Sequence, residues 1–278
     1  MPQLHSLLIL GATGRVGAAV VFALRQRYPN LPITALLELG ITVIHGDLEN
    51  LGLVMDLASS ADIVVNSALS GSISLAQAIH IGLNNRRRGA RKPILLHISR
   101  TALDLHHEDP RSLQLQTKPY DDVDTTEWMA TPPETPSRLV DNEIMQAVYT
   151  SPFQAYIVAP TTILGRAQTP MPQRSHHISR LVQRALKERR LIFPGDGMNA
   201  GNGVHLQDVV KLCCGLIGNA MSPTYEPPPE NPQFFFAAST EFCWSDVAVK
   251  VASKLYNCGL IASDHVYSAP VGRVPELW

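Results

Sequence analysis

The chain has 278 residues, of which 45% are hydrophobic, and a formal net charge of −1. That length and apolar content support one large α/β domain or a domain with a small lobe, and they argue against disorder. Near-neutral charge without a basic stripe excludes a nucleic-acid binder of the usual kind. Apolar runs stop well short of the ~20 residues of a membrane span, and the start of the chain lacks the basic lead of a secretory signal. Cys213, Cys214, Cys243 and Cys258 show no C-x-x-C spacing, so reduced thiols, no metal site and a cytoplasmic location are expected.

In chain order, Leu7–Leu10 reads as a first strand and Arg15–Arg27 as a helix, with Val16, Ala19, Val20, Ala23 and Leu24 at helical spacing. Pro29 and Pro32 end that helix. Ile33–Leu37, Ile41–His45 and Ile63–Asn66 follow as strands, then a helix over Ser74–Arg88 and a strand at Ile94–Ser99. Residues 104–136, rich in proline and acids, read as an irregular loop on the active-site side. Helix returns at Ser137–Thr150, a sixth strand at Phe153–Val158, and helices at Ile178–Arg190 and Leu206–Asn219. A proline-rich loop, Pro223–Pro232, leads to a strand at Phe234–Ala238 and a last helix at Ser245–Tyr256.

Strands alternating with helices predict a doubly wound parallel sheet of Rossmann type, covered on both faces. A small substrate lobe is expected from roughly residues 162–205 and 223–278. Ligands of such sheets bind beyond the carboxyl ends of the strands. Gly11–Gly17, the segments after Leu37 and His45, Asn66–Ser70 and Ser99–Leu103 therefore surround one crevice.

Gly11-Ala12-Thr13-Gly14-Arg15-Val16-Gly17 follows a strand and opens a helix. Gly11 allows a tight turn, Gly14 admits a pyrophosphate close to the backbone, and Gly17 lets the helix approach the strand. The helix start then offers N–H groups and positive potential to phosphates. Glu38, about 20 residues past the loop, has two readings: a carboxylate for a ribose 2′-OH, or a remnant of a helix missing between strands two and three. Without Arg or Lys near Glu38, NAD is favoured over NADP, and a cofactor-free pocket stays open because the shortened segment removes part of the adenine site.

The loop, together with later segments, resembles the short-chain dehydrogenase/reductase superfamily, in its extended and atypical branch of nucleotide-sugar epimerases, dehydratases and NmrA-like proteins. Gly46-Asp47-Leu48 resembles the branch's adenine-contacting Asp, and Asn66-Ser67-Ala68 its Asn-x-Ala turn. His97-Ile98-Ser99-Arg100-Thr101 resembles the serine-rich end of the fifth strand, and Ala159-Pro160-Thr161-Thr162 opens a segment similar to the one beside the nicotinamide. Gly195-Asp196-Gly197 and Val204-His205-Leu206-Gln207-Asp208-Val209 resemble later elements of the same branch. The resemblance implies cofactor contacts from Gly11, Thr13, Gly14, Arg15, Val16, Gly17, Asp47, Leu48, Asn66, Ser67, Ala68 and Pro160, with Glu38 as above.

Family enzymes use a Tyr acid/base with a Lys four residues on. None of the seven tyrosines here has a Lys at that spacing. By position Ser137 stands at the Tyr site and Asp141 at the Lys site, and Arg100, between Ser99 and Thr101, replaces the usual Ser/Thr. Ser99, Arg100, Thr101, Ser137 and Asp141 are thus the catalytic candidates, with Arg100 or a hydroxyl to polarise a carbonyl and Asp141 to take a proton. Tyr120, Asp121, Trp128, Thr161, Thr162, His176 and His177 are the substrate-contact candidates, and His97 reads as a satisfied interior residue.

The expectation is an enzyme on a small, largely apolar metabolite that carries out a non-redox step: isomerisation, cyclisation, elimination or rearrangement. The alternatives are an NAD(P)-dependent reductase or epimerase with a substitute acid, and a non-catalytic dinucleotide sensor of NmrA-like type. A small-molecule substrate and a homodimer are the expected partners, with no nucleic acid and no membrane.

Overall fold

The computed structural model describes residues 6–35, 42–44, 46–86, 92–106, 121–122, 135–167, 169, 176–195, 200–222, 224–226 and 233–269. Seven strands form the main sheet: β1 (Leu7–Leu10), β2 (Ile33–Ala35), β3 (Thr42–Val43), β4 (Ile63–Asn66), β5 (Ile94–Ile98), β6 (Gln154–Pro160) and, later in the chain, β10 (Gln233–Ala237). Their order is β10-β6-β5-β4-β1-β2-β3, and every pairing is parallel. Order reverses beside β1, which places the crevice at the carboxyl end of that strand.

The central strands are buried on both faces and their side chains alternate between two cores. Leu7, Ile9, Ile63, Val65, Leu96, Tyr156 and Val158 face one core, with α1 (Arg15–Arg27) and α7 (Leu206–Met221). Leu8, Leu10, Val64, Leu95, Ala155 and Ile157 face the other. That second core is closed by α2 (Leu51–Ser59), α3 (Ile73–Asn85) and α5 (Pro136–Thr150). Asn66 and His97 share the register of Val64 and Leu95, so two polar side chains end an otherwise apolar surface under α5.

The alternating pattern and the glycine turn fall where the sequence places them; several elements do not. Helix α2 was not anticipated, although Asn50 caps it by accepting the Leu53 N–H at 3.2 Å and Leu51, Val54 and Ala58 face inward or partly so. A short helix, α4 (Thr101–His106), occupies the start of the stretch expected to be irregular.

Beyond β6 the chain adds β7 (Thr162–Leu164), α6 (His176–Glu188), β8 (Leu191–Pro194) and β9 (Ala200–His205) before α7. After β10 come β11 (Thr240–Cys243), α8 (Trp244–Asn257) and β12 (Val266–Ala269). Strands β11, β9 and β7 form one small sheet, and β12 with β8 another. Leu181, Ala185, Leu191, Ala248, Ala252, Leu255 and Ile261 make a third core between α6, α8 and β8. The strand at 233–237, inside the range expected for the lobe, instead extends the main sheet as β10. Strands β7, β8, β9, β11 and β12 are three to six residues long, too short for periodicity to reveal. Among the described residues no helix is long and apolar enough to cross a membrane.

Candidate active site

The turn after β1 is built by contact. Gly11 has φ +79°, and a Cβ there would lie 2.8 Å from the Ala68 Cβ and 2.9 Å from the Ala68 nitrogen. A Cβ on Gly17 would overlap the Gly11 carbonyl and the Ser67 hydroxyl. Ser67 closes the turn by donating to the Leu10 carbonyl at 2.7 Å. Gly14 differs: its φ is −74° and the nearest atom to a Cβ would be the Gly11 oxygen at 3.1 Å. Packing and backbone shape thus require glycine at 11 and 17, but neither requires it at 14. Gly14 caps α1 and, having no side chain, offers none to the first-turn N–H groups.

Arg15 leaves this turn for the small sheet. Its guanidinium donates to the Ile163 carbonyl at 2.8 Å and to the Gly165 carbonyl. Burial lowers its pKa. Thr13 is exposed, and Val16 is half-buried against the first core. Asp47 is exposed after β3 and accepts the Glu49 N–H at 3.0 Å, while Leu48 packs against the second core.

At the carboxyl ends of β4 and β5 the polar side chains meet. The Ala68 N–H donates to Asn66 Oδ1 at 3.2 Å, and Asn66 Nδ2 lies 3.1 Å from His97 Nδ1. His97 Nε2 is 3.7 Å from Asp141 Oδ1. Ser99 donates to Asp141 Oδ2 at 2.7 Å and Thr101 to the same oxygen at 2.6 Å, in the range of charge-assisted bonds. The Thr101 N–H donates to Ser99 Oγ at 3.0 Å. Asp141 and His97 are 0% exposed and Ser99 1%. Burial pushes the His97 pKa down to about 4, so the ring is neutral at physiological pH.

Helix α5 delivers Asp141 because Ser137, Asp141, Ile144 and Val148 recur at helical spacing on its buried face. Two of those four are polar, and polar residues at core positions are the sequence signal that marks this site.

Three of the five catalytic candidates, Ser99, Thr101 and Asp141, form one hydrogen-bonded cluster, and Ser137 is buried on the same helix face. Arg100, between them, is exposed. Each hydroxyl has a single proton, and both point to Asp141. Among the described residues no tyrosine hydroxyl is hydrogen-bonded to a lysine; Tyr156 pairs with Tyr225 in the first core, where burial and that contact raise its pKa. His97 is the member of the cluster that sequence reasoning set aside; its place one residue from the end of β5, beside Asn66, was the available clue.

Among the substrate candidates, Thr161 spends its hydroxyl on the Ala237 carbonyl at 3.2 Å, which ties β6 to β10, and Thr162 is buried at the start of β7. Pro160 ends β6 beside Ala237. His177 packs edge-on against Trp244, ring centroids 6.4 Å apart. His176 opens α6. Asp121 is exposed, and its neighbour Asp122 accepts the Phe236 N–H of edge strand β10 at 2.9 Å. Glu38, Tyr120 and Trp128 lie outside the described residues.

Comparison with known proteins agrees with this architecture. The UDP-glucuronic acid 4-epimerase of Bacillus cereus, in complex with UDP-glucuronic acid and NAD, superposes with a TM-score of 0.66 at 13% identity, over 96% of this chain and 88% of that one. The dTDP-glucose 4,6-dehydratase of Bacillus anthracis, in complex with NAD, gives 0.63 at 17% identity, over 96% and 84%. At those identities the likeness establishes the fold. A protein of Acremonium sp named oxidase ucsJ is 21% identical over 291 residues, 96% of this chain and 83% of the oxidase. The sequence pattern of the NAD dependent epimerase/dehydratase family matches residues 7–225, and the chain belongs to that family.

Proposed function

We propose that the chain binds a nicotinamide dinucleotide, NAD in preference to NADP, and acts on a small, largely apolar metabolite in a non-redox step: isomerisation, cyclisation, elimination or rearrangement. Gly11–Gly17 would hold the pyrophosphate, with Asp47, Leu48, Asn66, Ser67 and Ala68 toward the adenosine half and Pro160 toward the nicotinamide. The fit rests on Gly14, where a Cβ would meet only the Gly11 carbonyl oxygen, at 3.1 Å, and where the helix start has no N-cap side chain of its own. When bound, the dinucleotide supplies a hydride donor or acceptor. Arg15 gives its charge to two backbone carbonyls of the small sheet, which leaves no loop cation for a 2′-phosphate.

The observation that carries the non-redox reading is Asp141. It stands where the family's lysine would stand, fully buried, and draws in the protons of Ser99 and Thr101. A hydride transfer to a carbonyl needs a proton delivered to the oxygen, and this cluster holds its protons inward. Arg100, exposed at the end of β5, is the group placed to polarise a substrate carbonyl. Orientation of the substrate and exclusion of water supply the rest of the rate.

Calorimetry with NAD and NADP, followed by absorbance at about 340 nm during turnover, tests the reading. Tight NAD binding with product formed and no absorbance change, net over many turnovers or transient within one, is the expected result. A stoichiometric change at that wavelength refutes the non-redox step and favours a second reading, an oxidoreductase with Arg100 as substitute electrophile. The relative named as an oxidase is the observation behind that alternative.

A further inference from the structure

We propose that His97 is a positioning residue, held as its neutral Nε2–H tautomer by Asn66, that orients Asp141 and ties the turn walling the glycine loop to the Ser99–Thr101 pair. The argument starts at Ala68. Its N–H can only donate, so the Asn66 atom facing it at 3.2 Å is the carbonyl oxygen. Asn66 therefore presents its NH₂ to His97 Nδ1 at 3.1 Å, and that nitrogen must accept. The proton of the neutral ring then sits on Nε2, which faces Asp141 Oδ1 at 3.7 Å. Burial favours the neutral ring over the imidazolium.

Polarity thus runs one way, by hydrogen bonds from a backbone N–H through amide to imidazole, and from there to the carboxylate by an electrostatic contact at 3.7 Å, longer than a hydrogen bond. With Oδ1 turned to His97, Oδ2 is the oxygen that receives both hydroxyls. Ala68 is also the residue against which Gly11 packs, at 2.8 Å from a Cβ on that glycine. A shift of the loop on binding a ligand therefore moves the first member of the chain. This last link rests on the reading of Asn66–Ala68 as part of the dinucleotide site.

Long-range ¹⁵N–¹H correlation spectra of the histidine rings test the tautomer in the free protein. One His97 species with a bare Nδ1 and a protonated Nε2 is expected; a protonated Nδ1 or a mixture overturns the proposal. His97→Gln places an amide N–H near the position of Nε2 and should keep the Thr101 amide resonance close to its native position, whereas His97→Leu should displace it. Equal displacement in both, or none in either, reduces His97 to packing. Where His97→Leu does not fold, Asn66→Asp serves: an acceptor-only side chain draws a proton to Nδ1, and the Thr101 resonance should move. On saturation with NAD the His97 Nε2 and Thr101 resonances should shift together. Absence of NAD binding by calorimetry refutes the proposed function and leaves the tautomer result standing. Binding with both resonances unmoved refutes the coupling alone.

Discussion

Replacing Gly17 by alanine adds a Cβ that overlaps the Gly11 carbonyl oxygen and the Ser67 hydroxyl and lies 2.9 Å from the Gly11 carbonyl carbon. The carbonyl belongs to a turn fixed by Ala68 and cannot move far. The hydroxyl can rotate away only by giving up its 2.7 Å bond to the Leu10 carbonyl. Overpacking of this kind costs about 1–3 kcal/mol and the lost hydrogen bond about 1, against about 1 regained from alanine's helix propensity. The net expectation is about 2 kcal/mol of lost stability, read as a lower urea midpoint at unchanged slope. Gly14→Ala is the paired control. Its φ of −74° suits any residue and its close new contact, 3.1 Å to the Gly11 oxygen, is tight without overlapping, so stability should fall by only about 1 kcal/mol, less than for Gly17→Ala. Affinity for NAD should nonetheless fall at least about tenfold, or about 1.4 kcal/mol, because the Cβ enters the space assigned to the pyrophosphate. Wild-type stability for Gly17→Ala would refute the packing argument, and wild-type NAD affinity for Gly14→Ala would refute the assignment of the loop.

Three further expectations concern charge and reactivity. His97 has a native pKa near 4 against 6.5 in the unfolded chain, so its contribution is complete above about pH 6.5 and is lost as pH falls toward 4. The loss amounts to about 3 kcal/mol, and denaturation series at several pH values should show that slope flattened in His97→Gln. Cys213 and Cys214 are buried, with thiols pushed up to about 12 and about 11, so a thiol reagent near pH 8 should label exposed Cys258 in the native protein and reach these two only on unfolding. Rapid native labelling that survives Cys258→Ser and Cys243→Ser would contradict the burial of that pair. Arg15→Gln removes a charged donor from the Ile163 and Gly165 carbonyls and should lower stability by about 1–2 kcal/mol while leaving affinity for NADP unchanged; weaker NADP binding would show that Arg15 is available to a 2′-phosphate.

The strand, glycine turn and helix from Leu7 to Arg27 were legible because each carries an independent local signal: an apolar run, glycines at every third position, and a periodic helix face. Ser137 and Asp141 were placed instead through the resemblance, by their position before the sixth strand, and both lie on the buried face of α5. Elements that depend on partners were not legible. Strands β7, β9 and β11 hold short or glycine-containing segments, such as Ala200-Gly201-Asn202-Gly203, that become strands only by pairing with one another. His97 was missed for a related reason. One histidine inside an apolar run says nothing of its neighbours, and its role appears only when β4 sets Asn66 beside it and α5 sets Asp141 above it.

Whether the missing tyrosine and lysine represent decay or replacement turns on how the positions are filled. Decay leaves buried polar groups without partners or fills their places with apolar side chains, since an unsatisfied buried group costs about 1–3 kcal/mol. Here Asp141 accepts two hydroxyl protons at 2.6 and 2.7 Å, the Ser99 oxygen receives the Thr101 N–H, and His97 Nδ1 receives Asn66, while His97 Nε2 stands 3.7 Å from Asp141 Oδ1, longer than a hydrogen bond. A carboxylate at 0% exposure persists only where such donors converge on it. Removing Asp141 strands both hydroxyls, so Ser99, Thr101 and Asp141 hold one another in place. Asp141→Leu should therefore be more harmful than Asp141→Leu combined with Ser99→Ala and Thr101→Val, where the stranded hydroxyls are removed as well. Urea midpoints for the two variants decide the point: a triple variant no more stable than the single one would mean that the cluster is not held together by mutual satisfaction.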